Sequence, residues 1–563
     1  MSARELITEH LDLWTGAVTH KSSVGRGSNG KIELTGIKKL RELILELAVR
    51  GKLVEQDPRD EPASVLLERI AEEKARLVKE GKIKKPKKPP EITEEEKPFE
   101  LPKGWQWARL SDVLRVINGR AYKKHEMLQD GTPLLRVGNL FTSNEWYYSD
   151  LQLEDDKYID HGDLIYAWSA SFGPFIWDGG RAIYHYHIWK LELFDYLSTS
   201  KHFLYNYLKA VTEEIKSSGS GIAMIHMTKA KMDELVVPLP PLEEQLRIVE
   251  KVDELMALCN RLEQQVGDQL EAHEVLVDTL LGVLTCSKDP AELAESWARI
   301  AKHFDKLFTT EDSIEKLKQT ILQLAVMGRL VAQDPNDEPA SVLLEKIAEE
   351  KTRLVKEGKI KKSKELPENT DEEKPFGLPE GWEWTRLSDV LRVINGRAYK
   401  KHEMLQEGTP LLRVGNLFTS NEWYYSDLEL DDDKYIDHGD LIYAWSASFG
   451  PFIWDGERAI YHYHIWKLDL YDNSITDKKF IYNYLKSVTE KIKASGNGIA
   501  MIHMTKAKME EIIVPFPPLK EQQRIVEKID ELMALCNQLK TNLGKAGETR
   551  VHLADAVVEN FVQ

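Results

Sequence analysis

Val237-Pro-Leu-Pro-Pro-Leu-Glu-Glu-Gln245 is the stretch from which the fold is read. Behind Pro240-Pro241 a helix is expected to begin at Leu242-Glu-Glu-Gln and run to about Leu284. Val249, Val252, Leu255, Cys259, Leu262 and Val266 repeat there at three- and four-residue steps, the pattern of a coiled-coil seam with charged flanks. About 40 residues at 1.5 Å each make a rod of about 60 Å. The same stretch recurs as Val514-Pro-Phe-Pro-Pro-Leu-Lys-Glu-Gln522, 277 positions later. A second rod is expected from Leu519 through Ile525, Ile529, Leu532, Leu535 and Leu539.

The displacement of 277 holds throughout. Trp105-Gln-Trp107 returns as Trp382-Glu-Trp384, and the register runs without a gap from Ile37/Ile314 through Asp57/Asp334 to Cys259/Cys536. This is a duplicated domain pair and not a short-period solenoid. Between Leu110 and Leu191 only Asp130, Gln152, Glu154 and Gly180 change, to Glu407, Glu429, Asp431 and Glu457. Whatever surface this block presents, the chain presents it twice.

Six regions follow: an N-terminal segment 1–36, a helical arm and linker 37–100, a globular domain 101–241, a central helical spacer and linker 242–376, a second globular domain 377–518, and a C-terminal helical region 519–563. In the arm, Ile37, Leu40, Leu43, Ile44, Leu47 and Ala48 recur at helical spacing before a Gly51 stop. A second helix starts near Pro62, with Val65, Leu66, Ile70, Leu77 and Val78 on one face. Lysines and prolines from Lys82 to Pro90 mark an exposed linker. In the domain, Leu134–Val137, Leu164–Trp168 and Ala182–Leu191 read as strands, Phe203–Lys216 as a helix, and Thr228 as the N-cap of another helix ending at Glu234. The fold class is α+β with a mostly antiparallel sheet in each domain. The helices after the second domain can pack only on the N-terminal arm or on another chain. The long helices are therefore expected to run antiparallel, with the two domains at opposite ends of a pseudo-two-fold object.

Composition agrees with a multi-domain globular chain. The 563 residues suggest three to four modules at about 150 each. Hydrophobic residues are 42% and charged residues 30%. Cys259, Cys286 and Cys536 are too scattered for a disulfide framework or a cysteine-rich zinc module, and fit a reducing cytoplasm. The opening MSARELITEHLDLW has acids and no apolar stretch of the secretory kind, and no run approaches the roughly 18 apolar residues of a membrane span. A net charge of −17 argues against diffuse nucleic-acid binding but allows a local basic cleft.

No motif for chemistry meets its own requirements. Gly25-Arg-Gly-Ser-Asn-Gly30-Lys31 has the glycine spacing of a phosphate loop, but a polar stretch precedes it and Ile32 stands where a magnesium-binding hydroxyl is needed. It reads as a linker. His185 and His187, with His161 and Asp163 upstream, lack a third ligand at recognisable spacing and read as packing in an aromatic strand. No methyl-donor loop and no nucleophile triad is found, so the chain reads as non-catalytic.

A recognition surface remains. From Arg109 to Leu140 there are six basic residues (Arg109, Arg115, Arg120, Lys123, Lys124, Arg136) against three acids (Asp112, Glu126, Asp130). Arginine and asparagine read base edges, while lysine and tyrosine hold phosphates. The DNA-contact candidates are Asn118, Arg120, Tyr122, Lys123, Lys124, Arg136 and Asn139. Ser169 and Ser171 join them from a small polar loop, and Thr228 and Lys229 from a helix start. The second copy supplies Asn395, Arg397, Tyr399, Lys400, Lys401, Arg413, Asn416, Ser446, Ser448, Thr505 and Lys506.

These residues sit within motifs that resemble the specificity subunit of type I restriction–modification enzymes. Leu101-Pro-x-Gly104-Trp105-x-Trp107 opens each domain, Gly162-Asp163-Leu164 lies inside it, and Val237-Pro-x-Pro-Pro-Leu242-x-Glu-Gln245 closes it. Gly51-Lys-Leu-x-x-Gln-Asp57-Pro-x-Asp-Glu-Pro62 marks the arm, and the second copy repeats all four, with Arg329 in place of Lys52. The resemblance implies two target-recognition domains, each reading half of a bipartite double-stranded DNA site. It implies helices that set the spacer and dock two methyltransferase subunits, and two restriction subunits that join them. S-adenosylmethionine, ATP and magnesium would sit on those partners, with no cofactor or metal on this chain and no membrane association. Because the two domains are nearly identical, the expected target is an inverted repeat. The competing reading is a coiled-coil scaffold whose domains bind protein.

Overall fold

The computed structural model describes residues 9–20, 32–84, 89–169, 171–217, 228–287, 290–361, 370–446, 449–494 and 505–562. The glycine-rich segment 25–31 and Ser448 lie outside them. The chain divides into two compact units, 1–269 with 545–563, and 270–544.

In the first unit, helix α1 (Leu11–Gly16) and the strand pair β1 (Thr19–His20) and β2 (Ile32–Glu33) precede the arm helix α2 (Thr35–Val49). All six arm residues singled out by spacing are buried in α2. Helix α3 (Ala63–Lys79) buries Leu66 and Ile70 and leaves Val65 exposed, so its buried stripe is narrower than the periodicity suggests. The domain opens with β3 (Gln106–Arg109), α4 (Leu110–Val113) and β4 (Leu114–Asn118). Next come β5 (Thr132–Leu135), α5 (Val137–Phe141), β6 (Tyr147–Ser149), β7 (Tyr158–Ile159), β8 (Leu164–Trp168), β9 (Phe172–Ile176), β10 (Ala182–Tyr184) and β11 (Ile188–Leu193). It ends with α6 (Lys201–Ser217), α7 (Lys229–Glu234) and β12 (Val236–Leu239), which leads into the long helix α8 (Leu242–Cys286).

Three β structures result. Sheet one has the order β4-β11-β8-β9 and is antiparallel throughout. Sheet two has the order β6-β5-β10-β7, with one parallel pair, β5–β10. Strands β3 and β12 pair antiparallel, Ala108 opposite Val237, so the first and last strands of the domain close its base. Side chains alternate across sheet two, as the two-residue period requires. Leu135, Ile159 and Tyr184 face a core shared with Ile165 and Ile188 of sheet one, while Leu134, Tyr158 and Ile183 pack under Tyr122 on the other face.

Two strand readings are corrected. Ala182–Leu191 is not one strand: the chain leaves sheet two after Tyr184, turns through His185-Tyr186-His187, and enters sheet one at Ile188. An uninterrupted apolar and aromatic run conceals that change of sheet. Val137 likewise begins α5 and does not extend the strand before it.

The base of the domain and the helices form one core. It joins Ile37, Leu40 and Ile44 of α2 to Trp105, Val237 and Phe203 of the domain and to Ile248, Val252, Leu255 and Cys259 of α8. Residues 545–562 of helix α11 (Leu519–Val562) also pack on α2, with Ala554 fully buried and Lys39 3.0 Å from Asp555.

At the centre of this core the sequence motifs meet. The Trp105 indole N–H donates to Glu244 Oε2 at 3.0 Å, and the Gln56 amide donates to Oε1 at 3.2 Å. Gln245 accepts the Ser200 N–H at 2.7 Å and donates to the Pro240 carbonyl at 2.9 Å. Arg247 donates to Asp60 at 2.7 Å. Gly51, at φ +67°, stops α2 where a side chain would overlap Trp105 and Pro102. Burial raises the Glu244 carboxyl above the usual carboxylate range.

The second unit repeats this in its own residues. Its two four-stranded sheets have the corresponding strand orders, and Glu521 accepts from Trp382 at 3.0 Å and from Gln333 at 3.2 Å. Helix α9 (Pro290–Lys302) precedes α10 (Glu311–Val326), the counterpart of the arm helix, which is capped by Thr310. Lys316 of α10 pairs with Glu274 and Asp278 of α8, and Lys540 of α11 with Glu315. Arg329 donates to the Ser287 carbonyl just past the end of α8, a capping bond that accounts for its departure from Lys52. Along α11 it is Cys536 that is buried, whereas Leu535, assigned to the seam from sequence, is exposed.

Replacing Glu244 by alanine strands the buried Trp105 indole N–H and is expected to cost about 1–3 kcal/mol. A lowered urea midpoint followed by tryptophan fluorescence checks this. Glu244→Gln retains a single acceptor for two donors and should fall between the alanine variant and the parent.

Candidate nucleic-acid interface

Where the chain changes sheets, four segments come together. Strand β4 ends at Asn118, and the chain then crosses the His185 turn. Gly119 makes the crossing possible, because a Cβ there would overlap the His185 carbonyl. Arg120 donates its N–H to the Tyr184 carbonyl at 3.1 Å and accepts the Tyr186 N–H at 3.0 Å. His185 donates its N–H to Leu135, next to Arg136, at 2.9 Å. Trp168, before the Ser169–Ser171 loop, donates its indole N–H to the Tyr186 carbonyl at 3.0 Å. Its ring stacks on Trp189 at 5.4 Å and meets His187 edge-on at 5.1 Å.

The candidate residues separate by their partners. Lys123 and Lys124 are exposed, and neither has an acidic side-chain partner among the described residues. Arg136 lies over the Tyr147 ring at 4.3 Å, also without an acidic partner among the described residues. Asn118 is exposed at the end of its strand, and its carbonyl accepts from Lys157. Ser169 and Ser171 are half-buried at the loop.

Several others are engaged internally. Arg120 donates to both oxygens of Glu126, at 2.7 and 3.0 Å, and this pairing holds Glu126 down at about 2. Tyr122 is buried under sheet two, which pushes its hydroxyl up to about 12, so it is packing and not a phosphate ligand. Asn139 accepts the Arg136 N–H at 3.1 Å and donates to the Glu145 carbonyl at 2.8 Å. It therefore holds the α5 loop instead of offering its amide to a base. Thr228 caps α7, whose Met232 belongs to the basal core, so Thr228 and Lys229 are not grouped with the His185 turn.

The basic cluster is smaller than its composition suggests. Arg109 is buried and donates to both oxygens of Glu96, to the Glu234 carbonyl at 2.7 Å and to linker carbonyls. Arg115 pairs with Glu192 across strands. Lys123, Lys124 and Arg136 are left as the outward cations of the six.

The second copy matches. Arg397 pairs with Glu403, Tyr399 is buried, Arg413 lies over Tyr424 at 5.1 Å, and Asn416 holds the loop through Glu422. Asn395, Lys400 and Lys401 are exposed, Ser446 is half-buried, and Thr505 caps the helix that begins at Lys506.

Sequence reasoning passed over His185, Tyr186, His187 and Trp168. Three consecutive polar aromatics in a supposed strand were the available signal. Burial, with His187 and Arg136 close by, brings His185 down to about 4, and burial also lowers His187, so both imidazoles are neutral at pH 7. Neutral imidazole offers one donor and one acceptor. His161 contacts the Asp178 carbonyl and Asp163 pairs with Lys190, and no group of three possible metal ligands is found among the described residues. The four positions that differ between copies are all exposed, and none belongs to this surface.

Comparison with known proteins gives the geometry its context. Residues 102–272 and 379–546 each match the type I restriction modification DNA specificity domain. The chain is 41% identical to the specificity subunit of the type I restriction enzyme EcoAI of Escherichia coli, with 99% of each chain covered. It is 38% identical to that of EcoEI from the same organism, also with 99% of each covered. A solved chain from work on the complex assembly and conformational transition of the type I R-M system shares the fold, with a TM-score of 0.50 and 18% identity over 83% of this chain and 99% of that one. With a recognition-domain match on each sheet-bearing domain and end-to-end similarity to two specificity subunits, this chain belongs to the type I restriction–modification DNA specificity family.

Proposed function

We propose that each sheet-bearing domain reads one half of a bipartite double-stranded DNA target, and that the chain delivers this recognition to catalytic partners without performing chemistry itself. The observation that carries the reading is the family match, which falls once on each domain, over a surface identical in both. Two methyltransferase subunits and two restriction subunits are the expected partners, holding S-adenosylmethionine, ATP and magnesium. Exposed apolar residues on the long helices, Leu246, Val275 and Leu276 of α8 and Leu553 of α11, are available to partner helices. Among the described residues no helix is long and apolar enough to cross a membrane.

Identical reading surfaces call for identical half-sites. Reading those bases on opposite strands, the two domains would define an interrupted inverted repeat. Mapping N6-methyladenine in cells that express this chain with its methyltransferase partner tests both levels. Methylation at an interrupted palindrome is expected. An interrupted direct repeat overturns reading on opposite strands, two unrelated half-sites overturn equivalence of the domains, and no methylation with an active, bound partner overturns the recognition role.

With three cations of the basic cluster left without an acidic partner in each domain among the described residues, on a chain of net charge −17, the isolated chain is expected to hold DNA only at micromolar strength or weaker in physiological salt. Six such contacts set a salt slope no steeper than about −5. Fluorescence anisotropy against salt measures this, and nanomolar binding by the chain alone contradicts it.

A further inference from the structure

Within this recognition reading, on which the inference rests, one element is arranged to touch bases. We propose that the His185-Tyr186-His187 turn, with Trp168 at its base and Arg136 beside it, reads base edges in one half-site, and that His462-Tyr463-His464 reads the other in the same way.

The backbone of the turn is fixed from all sides. Tyr186 N–H is held by Arg120, His185 N–H by Leu135, and the Tyr186 carbonyl by the Trp168 indole. Trp168 donates its own N–H to the His187 carbonyl at 3.0 Å, and Ile188 closes the turn onto His185 at 2.9 Å. A side chain carried on such a turn loses little freedom when it meets a ligand.

The side chains suit base edges better than phosphates. Tyr186 is 40% exposed, and its hydroxyl has no partner among the described residues. Its ring rests against His185 at 4.4 Å, His187 at 4.0 Å and Trp168 at 6.2 Å, contacts that fix its direction and leave the hydroxyl for a ligand. The two imidazoles beside it are neutral, so each adds a donor and an acceptor of the kind that base edges match. Charge comes instead from the exposed Lys123 and Lys124, which suits phosphate contacts that position the domain without reading sequence. Metal binding does not account for the pair: the His185 and His187 rings are 4.9 Å apart, and no third ligand completes a site among the described residues.

The second copy repeats the arrangement. Tyr463 is 40% exposed, and Trp445 donates to its carbonyl at 3.0 Å. Because one chain carries both turns, each can be changed alone.

The test maps methylation by the chain assembled with its methyltransferase subunit, comparing the parent with Tyr186→Ala, Tyr463→Ala and the double variant. Tyr186→Ala is expected to relax one base position in one half-site by about tenfold while the other half-site stays intact, with the mirror result for Tyr463→Ala. The double variant restores symmetry with both halves relaxed. Lys124→Ala is the control: it slows methylation without altering the sequence read. If an alanine variant fails to co-purify with its partner, Tyr186→Phe and His187→Asn, which keep ring or size, take its place. An unchanged motif in every assembled turn variant overturns this inference and leaves the recognition role standing. Absence of methylation by the parent complex overturns the recognition role itself.

Discussion

A carboxylate sealed from water with two N–H donors aimed at it organises each half of this chain. Glu244 is 1% exposed and receives both the Trp105 indole and the Gln56 amide. A carboxylate has acceptors only, so it can satisfy two converging donors where glutamine could satisfy one. The three residues come from three places: the long helix, the position just before the first strand of the domain, and the loop after the arm helix. Ordering any one of them without the others would leave a buried polar group unpaired, at a cost of a few kcal/mol. The arm, domain and rod of each unit are thereby made to fold as one body. Gln245 and Arg247, one and three positions further along the helix, extend the joint to Ser200 and Asp60.

This joint also separates two jobs within the domain. Strands β3 and β12 close the base, so everything between them is a long excursion whose ends are pinned together. The near sheet shares the core of the helices, while the far sheet packs one face on a cluster shared with Ile165 and Ile188 of the near sheet and the other on a cluster under Tyr122. The candidate surface lies where the chain steps from one sheet to the other. A step of that kind interrupts the strand ladder and frees side chains from the alternation that buries every second one. The turn at His185 can thus be rigid in its backbone and still present three side chains in succession.

How much of this was legible depends on what each residue signals. The arm helix was plain, because Ile37, Leu40, Leu43, Ile44, Leu47 and Ala48 form one buried stripe. Thr228 was legible as a cap, since its hydroxyl has a local task, accepting the Lys231 N–H at 3.3 Å. The sheet change at His185 was not, because apolar and aromatic residues run through both strands and the turn lacks the usual glycine, proline or asparagine. Nor could composition reveal which arginines face outward. Arg109 and Arg115 meet Glu96 and Glu192, acids 13 residues before one and 77 after the other, so their engagement is a property of the folded chain. Asn139 was misleading for the same reason, as both ends of its amide are used by a loop six residues long. The motifs were easy to see, but their meaning as a single hydrogen-bonded joint appears only when Gln56, Trp105 and Glu244 are brought together.

The pattern of difference between the copies follows from this division. Changes at Gln56, Trp105 or Glu244 would break the joint, and the second copy keeps all three as Gln333, Trp382 and Glu521. Changes on the reading surface would alter the half-site in one domain alone, and none has occurred there. The four substitutions in the intervening block are all at exposed positions away from that surface, and two of them, Gln152 to Glu429 and Gly180 to Glu457, add negative charge. Such charge would be repelled by a phosphate backbone at close range and is tolerated where the domain faces solvent.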